Sequence, residues 1–170
     1  ELEKFDMVVL QHEIPLETVH YVIEFCYEKG IKIVLNPAPA AAVPMEIIDK
    51  VTYVTPNEHE AVLIFGDKLS TEDLLRKYPE KLVITQGSRG VSTCLKDGRI
   101  LNIPARKAQV VDTTGAGDTL NGAFSVQIAE GKAIEDALTY ANVAASLSTE
   151  KFGAQTGMPT AEEVETELKK

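Results

Sequence analysis

Asp118 closes the run Asp112-Thr113-Thr114-Gly115-Ala116-Gly117-Asp118, which lies between a strand-like segment and a long helical pattern. Two glycines in such a run let the backbone come very close to a ligand. The helix that follows turns its unsatisfied N–H groups and positive dipole end back on the loop, and this makes an anion site. A carboxylate in the first turn beside that site adds a proton acceptor. Charge stabilisation next to a base is what transfer of a phosphoryl group to an alcohol requires. Taken alone, Asp118 serves equally as a first-turn carboxylate that stabilises the helix dipole, worth roughly 0.3–1 kcal/mol. A Gly-x-Gly alone favours a plain strand-to-helix turn. Two nucleotide motifs are excluded. A dinucleotide fingerprint needs a third glycine where Leu120 stands, and a P-loop needs Gly-Lys-Ser/Thr, which the chain lacks.

The elements that must position this run read as alternating strands and helices. Met7–Leu10 is a short apolar run of the kind buried on both faces. Pro15 opens a helix in which Leu16, Val19, Val22, Ile23 and Cys26 share one face, and Gly30 closes it. Residues 31–35 form the next strand, so a parallel strand–helix–strand unit is expected. Residues 36–44 are rich in Pro and Ala and read as a structured loop, followed by a helix at 45–50 and a strand at 51–54. Asn57 opens a helix to about Phe65, Ser70 caps another to about Tyr78, and residues 81–85 are a strand. Residues 90–95 and 99–103 flank the turn Lys96-Asp97-Gly98 as a hairpin. The last third reads as helices at 117–130 and 134–149, then a glycine-containing loop at 151–159 and a final charged helix capped by Thr160. The pattern predicts an α/β fold, doubly wound, with a mostly parallel sheet, helices on both faces and ligands at the carboxyl ends of the strands.

Composition narrows the partners. The chain has 170 residues, which predicts one domain, and 44% of them are hydrophobic, enough for a real core. A net charge of −9, from 17 basic and 26 acidic residues, argues against non-specific nucleic-acid binding and against an acidic membrane surface. A phosphate ligand must therefore be held by local groups. Cys26 and Cys94 show no metal-type spacing and read as buried free thiols in a reducing cytosol. No apolar run is long enough to span a membrane. His12, His20 and His59 show no metal spacing and read as surface or cap residues. The chain begins at Glu1 and goes almost at once into strand-like sequence, which suggests residues upstream.

The run at 112–118 with Thr119-Leu120-Asn121-Gly122-Ala123 resembles the C-terminal signature of the PfkB family of ribokinase-like sugar kinases. Further segments agree in order and spacing: Gln11-His12-Glu13-Ile14-Pro15-Leu16-Glu17, Asn36-Pro37-Ala38-Pro39-Ala40, Thr55-Pro56-Asn57-Glu58-His59-Glu60-Ala61, Thr85-Gln86-Gly87-Ser88-Arg89-Gly90 and Gly153-Ala154-Gln155. The resemblance covers essentially all 170 residues but not the family's whole length. Its members carry a substantial N-terminal part with the first strands of the sheet, a small β lid and several sugar-binding residues.

The resemblance implies ATP-dependent phosphorylation of the 5-hydroxyl of D-ribose, with Mg²⁺ and an activating monovalent cation, normally K⁺. Asp118 would bind the sugar's primary hydroxyl and take its proton, and the backbone N–H groups of Gly115, Ala116 and Gly117 would form the anion hole. Glu13, otherwise a solvated loop acid, would bond the sugar hydroxyls. Asn57 and Glu60 make a good capping box on helix logic alone. In the family this Asn-x-x-Glu lies near the triphosphate and organises Mg²⁺ largely through water. Thr85, Gly87, Ser88 and Gly90, otherwise a simple turn, would wall the nucleotide site, with Gly90 permitting close approach. Asn142, either a solvated helix residue or a nucleotide contact, would meet the adenine or ribose. Asp112 and Thr114 would be ligands of the monovalent cation, with backbone carbonyls around Ser148, Lys151 and Gly153. The chain departs from the family pattern at Lys151, where arginine is common, and at Gly157, where serine or a similar residue often sits. A homodimer through the lid is implied, as is little activity for these residues alone. The alternatives are another PfkB kinase, acting on fructose, a keto-deoxy sugar acid or a nucleoside, and a nucleotide-binding module without turnover.

Overall fold

A computed structural model describes all 170 residues. They group into two compact units, one of residues 1–86 and 92–102, the other of residues 87–91 and 103–170.

The first unit carries the sheet. Strand β1 (Met7–Leu10) pairs in parallel with β2 (Lys32–Leu35), which pairs in parallel with β3 (Tyr53–Val54). The connection between β1 and β2 is helix α1 (Leu16–Lys29), which starts after Pro15 and stops at Gly30 in the left-handed conformation. Its buried residues are Val19, Ile23 and Cys26, the stripe expected from helical spacing. They pack with Ile33 and Leu35 of β2 and with Ile47 and Ile48 of α2 (Met45–Lys50) in one apolar cluster. Each such side chain contributes about 1.5–3 kcal/mol by leaving water. After α3 (Glu58–Phe65) and α4 (Thr71–Lys77) the chain enters β4 (Val83–Thr85). Isolated parallel bridges join Val54 to Leu82 and Asn57 to Thr85, so the ladder continues from β3 toward β4. Strands β4, β5 (Val91–Cys94) and β6 (Ile100–Ile103) lie in that order, and the tight connections between them require antiparallel pairing. Cys26 and Cys94 are buried free thiols, as the sequence suggested, and burial pushes the Cys26 thiol pKa up.

The second unit is helical. Helix α5 (Ala116–Ala129) and helix α6 (Ile134–Ser148) pack along their lengths, burying Leu120, Phe124 and Ile128 of one and Ala137, Leu138, Ala141 and Ala144 of the other. The alanines on α6 let the two backbones approach closely. Helix α7 (Ala161–Leu168) begins with Thr160 and Glu163 in a reciprocal capping box and packs on α6. Arg106 reaches Glu150 and Glu167 at 2.7 Å each, tying the segment that leaves β6 to the end of α6 and to α7. No helix is long and apolar enough to cross a membrane.

Candidate functional site

In the sheet-bearing unit the expected residues stand just past the carboxyl ends of strands. Glu13 follows β1 and is exposed. Asn57 follows β3, and Thr85 ends β4. Backbone pairing brings Asn57 and Thr85 side by side, because they form a parallel bridge and the Thr85 N–H donates to the Pro56 carbonyl at 2.9 Å. The capping box is complete. The Glu60 N–H donates to Asn57 Oδ1 at 2.9 Å, and the Asn57 N–H donates to Glu60 Oε2 at 2.8 Å. Glu60 is only 7% exposed, a carboxylate held under the strand ends by its own helix terminus. One carboxylate oxygen is thereby oriented, and a metal that keeps its water shell can be served by such a group from a distance.

Two of the three histidines differ from expectation, while His59 is exposed in the first turn of α3 as expected. His12 is buried rather than on the surface: its Nδ1–H donates to the Pro39 carbonyl at 3.2 Å, and Nε2 is enclosed without a partner. His20 is half-buried, with Nε2 likewise enclosed. The sequence gives helical and loop spacing for both residues but not the segment at 36–40, which closes over His12. Burial pushes the His12 pKa below its ordinary value, against the hydrogen bond to Pro39.

In the helical unit two loops interlock through their backbones. Gly115 caps α5 in the left-handed conformation (φ 79°) and offers no capping side chain. The first turn is therefore left to other acceptors, which suits an anion. Asp118, in that turn, is exposed. The Ala116 N–H is partly used within the chain, donating to the Thr113 carbonyl at 3.2 Å. A Cβ on Gly115 would lie 2.8 Å from the Ala154 carbonyl oxygen, so the loop after α6 passes directly against the glycine. The same loop is tied down by Asp112. One of its carboxylate oxygens accepts from the Thr114 N–H and the other from the Gly153 N–H, both at 2.9 Å. Hydrogen bonds from the Thr114 backbone and hydroxyl, then from Gly153, hold the Asp112 carboxyl below the usual carboxylate range. The N–H groups of Val111 and Asp112 both donate to the Thr149 carbonyl, at 2.8 and 3.2 Å.

The carbonyls of Ser148, Lys151 and Gly153 come together. Their oxygens lie 2.7, 3.3 and 2.8 Å from the point where a Cβ on Gly157 would stand. Rings of backbone carbonyl oxygen are the donors that replace the hydration shell of a monovalent cation. Ser148 ends α6, where unsatisfied carbonyls and the negative dipole end favour a cation. The Lys151 side chain pairs with Glu163 at 2.9 Å. Thr149 and Ala154, which serve through main-chain atoms alone, had no side-chain signal to mark them.

Two expected nucleotide contacts turn out to be occupied by the chain itself. Asn142 is buried, not solvated, and its amide donates to the Pro104 carbonyl at 2.8 Å and the Ile103 carbonyl at 3.4 Å. Gly90 (φ 93°) is also buried, and the Ile103 carbonyl and the Ala105 nitrogen fill the space a Cβ would take. The close approach that Gly90 permits is therefore to residues 103–105 of its own chain. Gly87 and Ser88 lie in an exposed single turn just ahead of it.

Residues 1–161 match the model of the pfkB family of carbohydrate kinases. This chain belongs to that family. It is 53% identical over 165 residues to the ribokinase of Bacillus subtilis, covering 97% of this chain and 56% of that protein. With the ribokinase of Lactococcus lactis it shares 49% identity over 170 residues, covering 99% of the chain and 56% of the relative. Among solved structures, the Arabidopsis thaliana ribokinase complexed with ribose and ATP matches with a TM-score of 0.89 at 30% identity, covering 99% of this chain and 57% of that one. The Thermotoga maritima ribokinase matches with a TM-score of 0.87 at 35% identity, covering 99% and 58%. The pfkB-family chain therefore has the ribokinase-like α/β fold and spans a little over half the length of these relatives.

Proposed function

We propose that the protein transfers the γ-phosphoryl group of ATP to the 5-hydroxyl of ribose, giving ribose 5-phosphate. The observation that carries this reading is the start of α5: a helix opening on a left-handed glycine with no capping side chain, and Asp118 exposed in its first turn. The similarity to ribokinases over almost the whole chain supports the choice of sugar. Asp118 accepts the proton of the attacking hydroxyl, so the alkoxide character it needs develops only as the bond to phosphorus forms. The N–H groups of Gly115, Ala116 and Gly117 receive the charge of the transferring group. The Ala116 N–H is released from the Thr113 carbonyl as it does so. Glu13 orients the sugar through its hydroxyls. Asn57, Thr85, Gly87 and Ser88 border the nucleotide. Gly90 and Asn142 support that border by holding residues 103–105.

The buried Glu60 carboxylate fits a water-mediated role toward Mg²⁺, which when bound neutralises triphosphate charge. The converging carbonyls of Ser148, Lys151 and Gly153 fit K⁺. Asp112 and Thr114 complete the set from the neighbouring loop, Asp112 chiefly by fixing Thr114 and Gly153 in place. Two buried free thiols support a reducing compartment such as the cytosol.

The test is a comparison of kcat/KM for ribose, deoxyribose, fructose, a keto-deoxy sugar acid and nucleosides, with ATP, Mg²⁺ and K⁺ present, on the protein at its natural length. Ribose is expected to lead. A nucleoside or fructose in first place overturns the assignment.

A further inference from the structure

Glu13 sits on a short exposed span whose two ends are fixed by different means. Downstream, Pro15 opens α1, and its carbonyl accepts from the N–H groups of Thr18 and Val19 at 2.9 and 3.1 Å. Upstream, the end of β1 is laced to the segment that leaves β2. The Asn36 N–H donates to the Leu10 carbonyl at 2.9 Å, and the His12 N–H donates to the Ala38 carbonyl at 2.8 Å. The His12 side chain adds a third bond, from Nδ1–H to the Pro39 carbonyl at 3.2 Å. Between the His12 and Pro15 anchors lie Glu13 and Ile14, both exposed.

A strand end that needed packing alone would be served by an apolar side chain. His12 is 8% exposed, and burial pushes its pKa below the ordinary value, so the ring is neutral and carries one N–H. The Pro39 carbonyl can only accept, which places that proton on Nδ1. The ring thus gives its single donor to the neighbouring loop.

We propose that His12 is a positioning residue for the sugar, bracing this span so that the Glu13 carboxylate is held at the hydroxyls it orients. The inference rests on the reading of Glu13 as a sugar ligand. A span fixed at both ends presents its side chain in one place, and a displaced carboxylate loses its bonds to the sugar with no change in its own chemistry. The sugar is then held less well before and at the transition state alike, so KM rises while kcat stays.

Steady-state kinetics with ribose, on the protein at its natural length, test this. Glu13→Ala is expected to raise KM by about 10–100-fold, the worth of a hydrogen bond to a charged group. His12→Leu keeps the bulk and removes the donor, and is expected to raise KM by about 3–10-fold with kcat within about twofold. His12→Asn is expected to stay within about twofold of the wild-type KM, because its amide N–H stands as many bonds from the main chain as Nδ1 does. In the Glu13→Ala background, His12→Leu is expected to change KM by less than about twofold. An unchanged KM in His12→Leu, a fall in kcat alone, equal rises in both backgrounds, or His12→Asn with the KM of His12→Leu each overturns the inference while the reading of Glu13 stands. Glu13→Ala with the wild-type KM overturns that reading and the inference with it. Should His12→Leu fail to fold, His12→Gln takes its place under the same expectations, since it is polar and of similar size but carries its donor further out.

Discussion

The two units hold their candidate residues by opposite means. In the sheet-bearing unit, side chains secure backbone: Asn57 and Glu60 each satisfy the other's N–H, and strand pairing sets Thr85 beside them. In the helical unit, backbone meets backbone. Gly115 lies against Ala154, Thr149 accepts from Val111 and Asp112, and three carbonyls face the open side of Gly157. The Asp112 side chain stitches these loops together. A site built from side chains tolerates substitution by anything that offers the same atoms. A site built from main-chain atoms tolerates almost no added volume, yet accepts many changes of side chain that leave the backbone path unchanged.

Asp118→Asn should have the largest effect, because Asp118 is the side chain proposed to accept the proton of the attacking hydroxyl. Loss of general-base catalysis should lower kcat by about 10²–10⁴-fold, with Tm lowered by no more than about 1–4 °C through the lost helix-dipole interaction. Near-normal turnover would leave Asp118 with only its helix-dipole role. Next comes Gly115→Ala, which forces an L-residue into the left-handed region at roughly 1–2 kcal/mol and sets its methyl 2.8 Å from the Ala154 carbonyl oxygen. Urea unfolding should show a loss of at least that size. Asn57→Ala should be milder, about 1 kcal/mol for a lost N-cap, and Asn57→Ser should recover most of it. If Asn57→Ala proved as damaging as Gly115→Ala, the contrast between the two units would collapse.

The smallest effect is the pH dependence of Asp112. Its folded-state pKa is depressed by the bonds from Thr114 and Gly153. The stability it contributes is therefore fully present above the ordinary carboxylate value of about 3.9 and is lost as pH falls through the lower folded-state value. The gap between wild-type and Asp112→Asn urea midpoints should be constant near neutrality and shrink below about pH 4. A gap of the same size at low pH would mean that the charge of Asp112 contributes nothing to holding the loops.

The elements were legible in the sequence because their boundary residues carry local signals. Pro15 and Gly30 bracket α1, Ser70 and Thr160 cap their helices, and Asn57 with Glu60 reads as a capping box before any coordinates exist. Where neighbours distant in sequence decide, local signals failed. Asn142 reads as either a solvated helix residue or a nucleotide contact, but residues 103–104 pass beside it and take its amide protons. His12 reads as a surface or cap residue, but it is buried and bonded to residues 38–39. Gly90 reads as a glycine kept for a ligand, but the space is taken by its own chain at residues 103–105.

By itself, then, the sequence determined the order of strands and helices and the family, because each of these is written in residue types at short spacing. Tertiary structure decided how closely main-chain atoms meet, although the family resemblance already grouped the carbonyls around Ser148, Lys151 and Gly153 with Asp112 and Thr114. The meeting of Gly115 with Ala154, and of three carbonyls at Gly157, depends on two loops about 40 residues apart in the chain that side-chain chemistry does not mark, since Asp112 accepts from Gly153 across a separation of 41 residues. Every residue carries the same carbonyl and nearly every one the same N–H, so only the path of the chain can make a particular one matter.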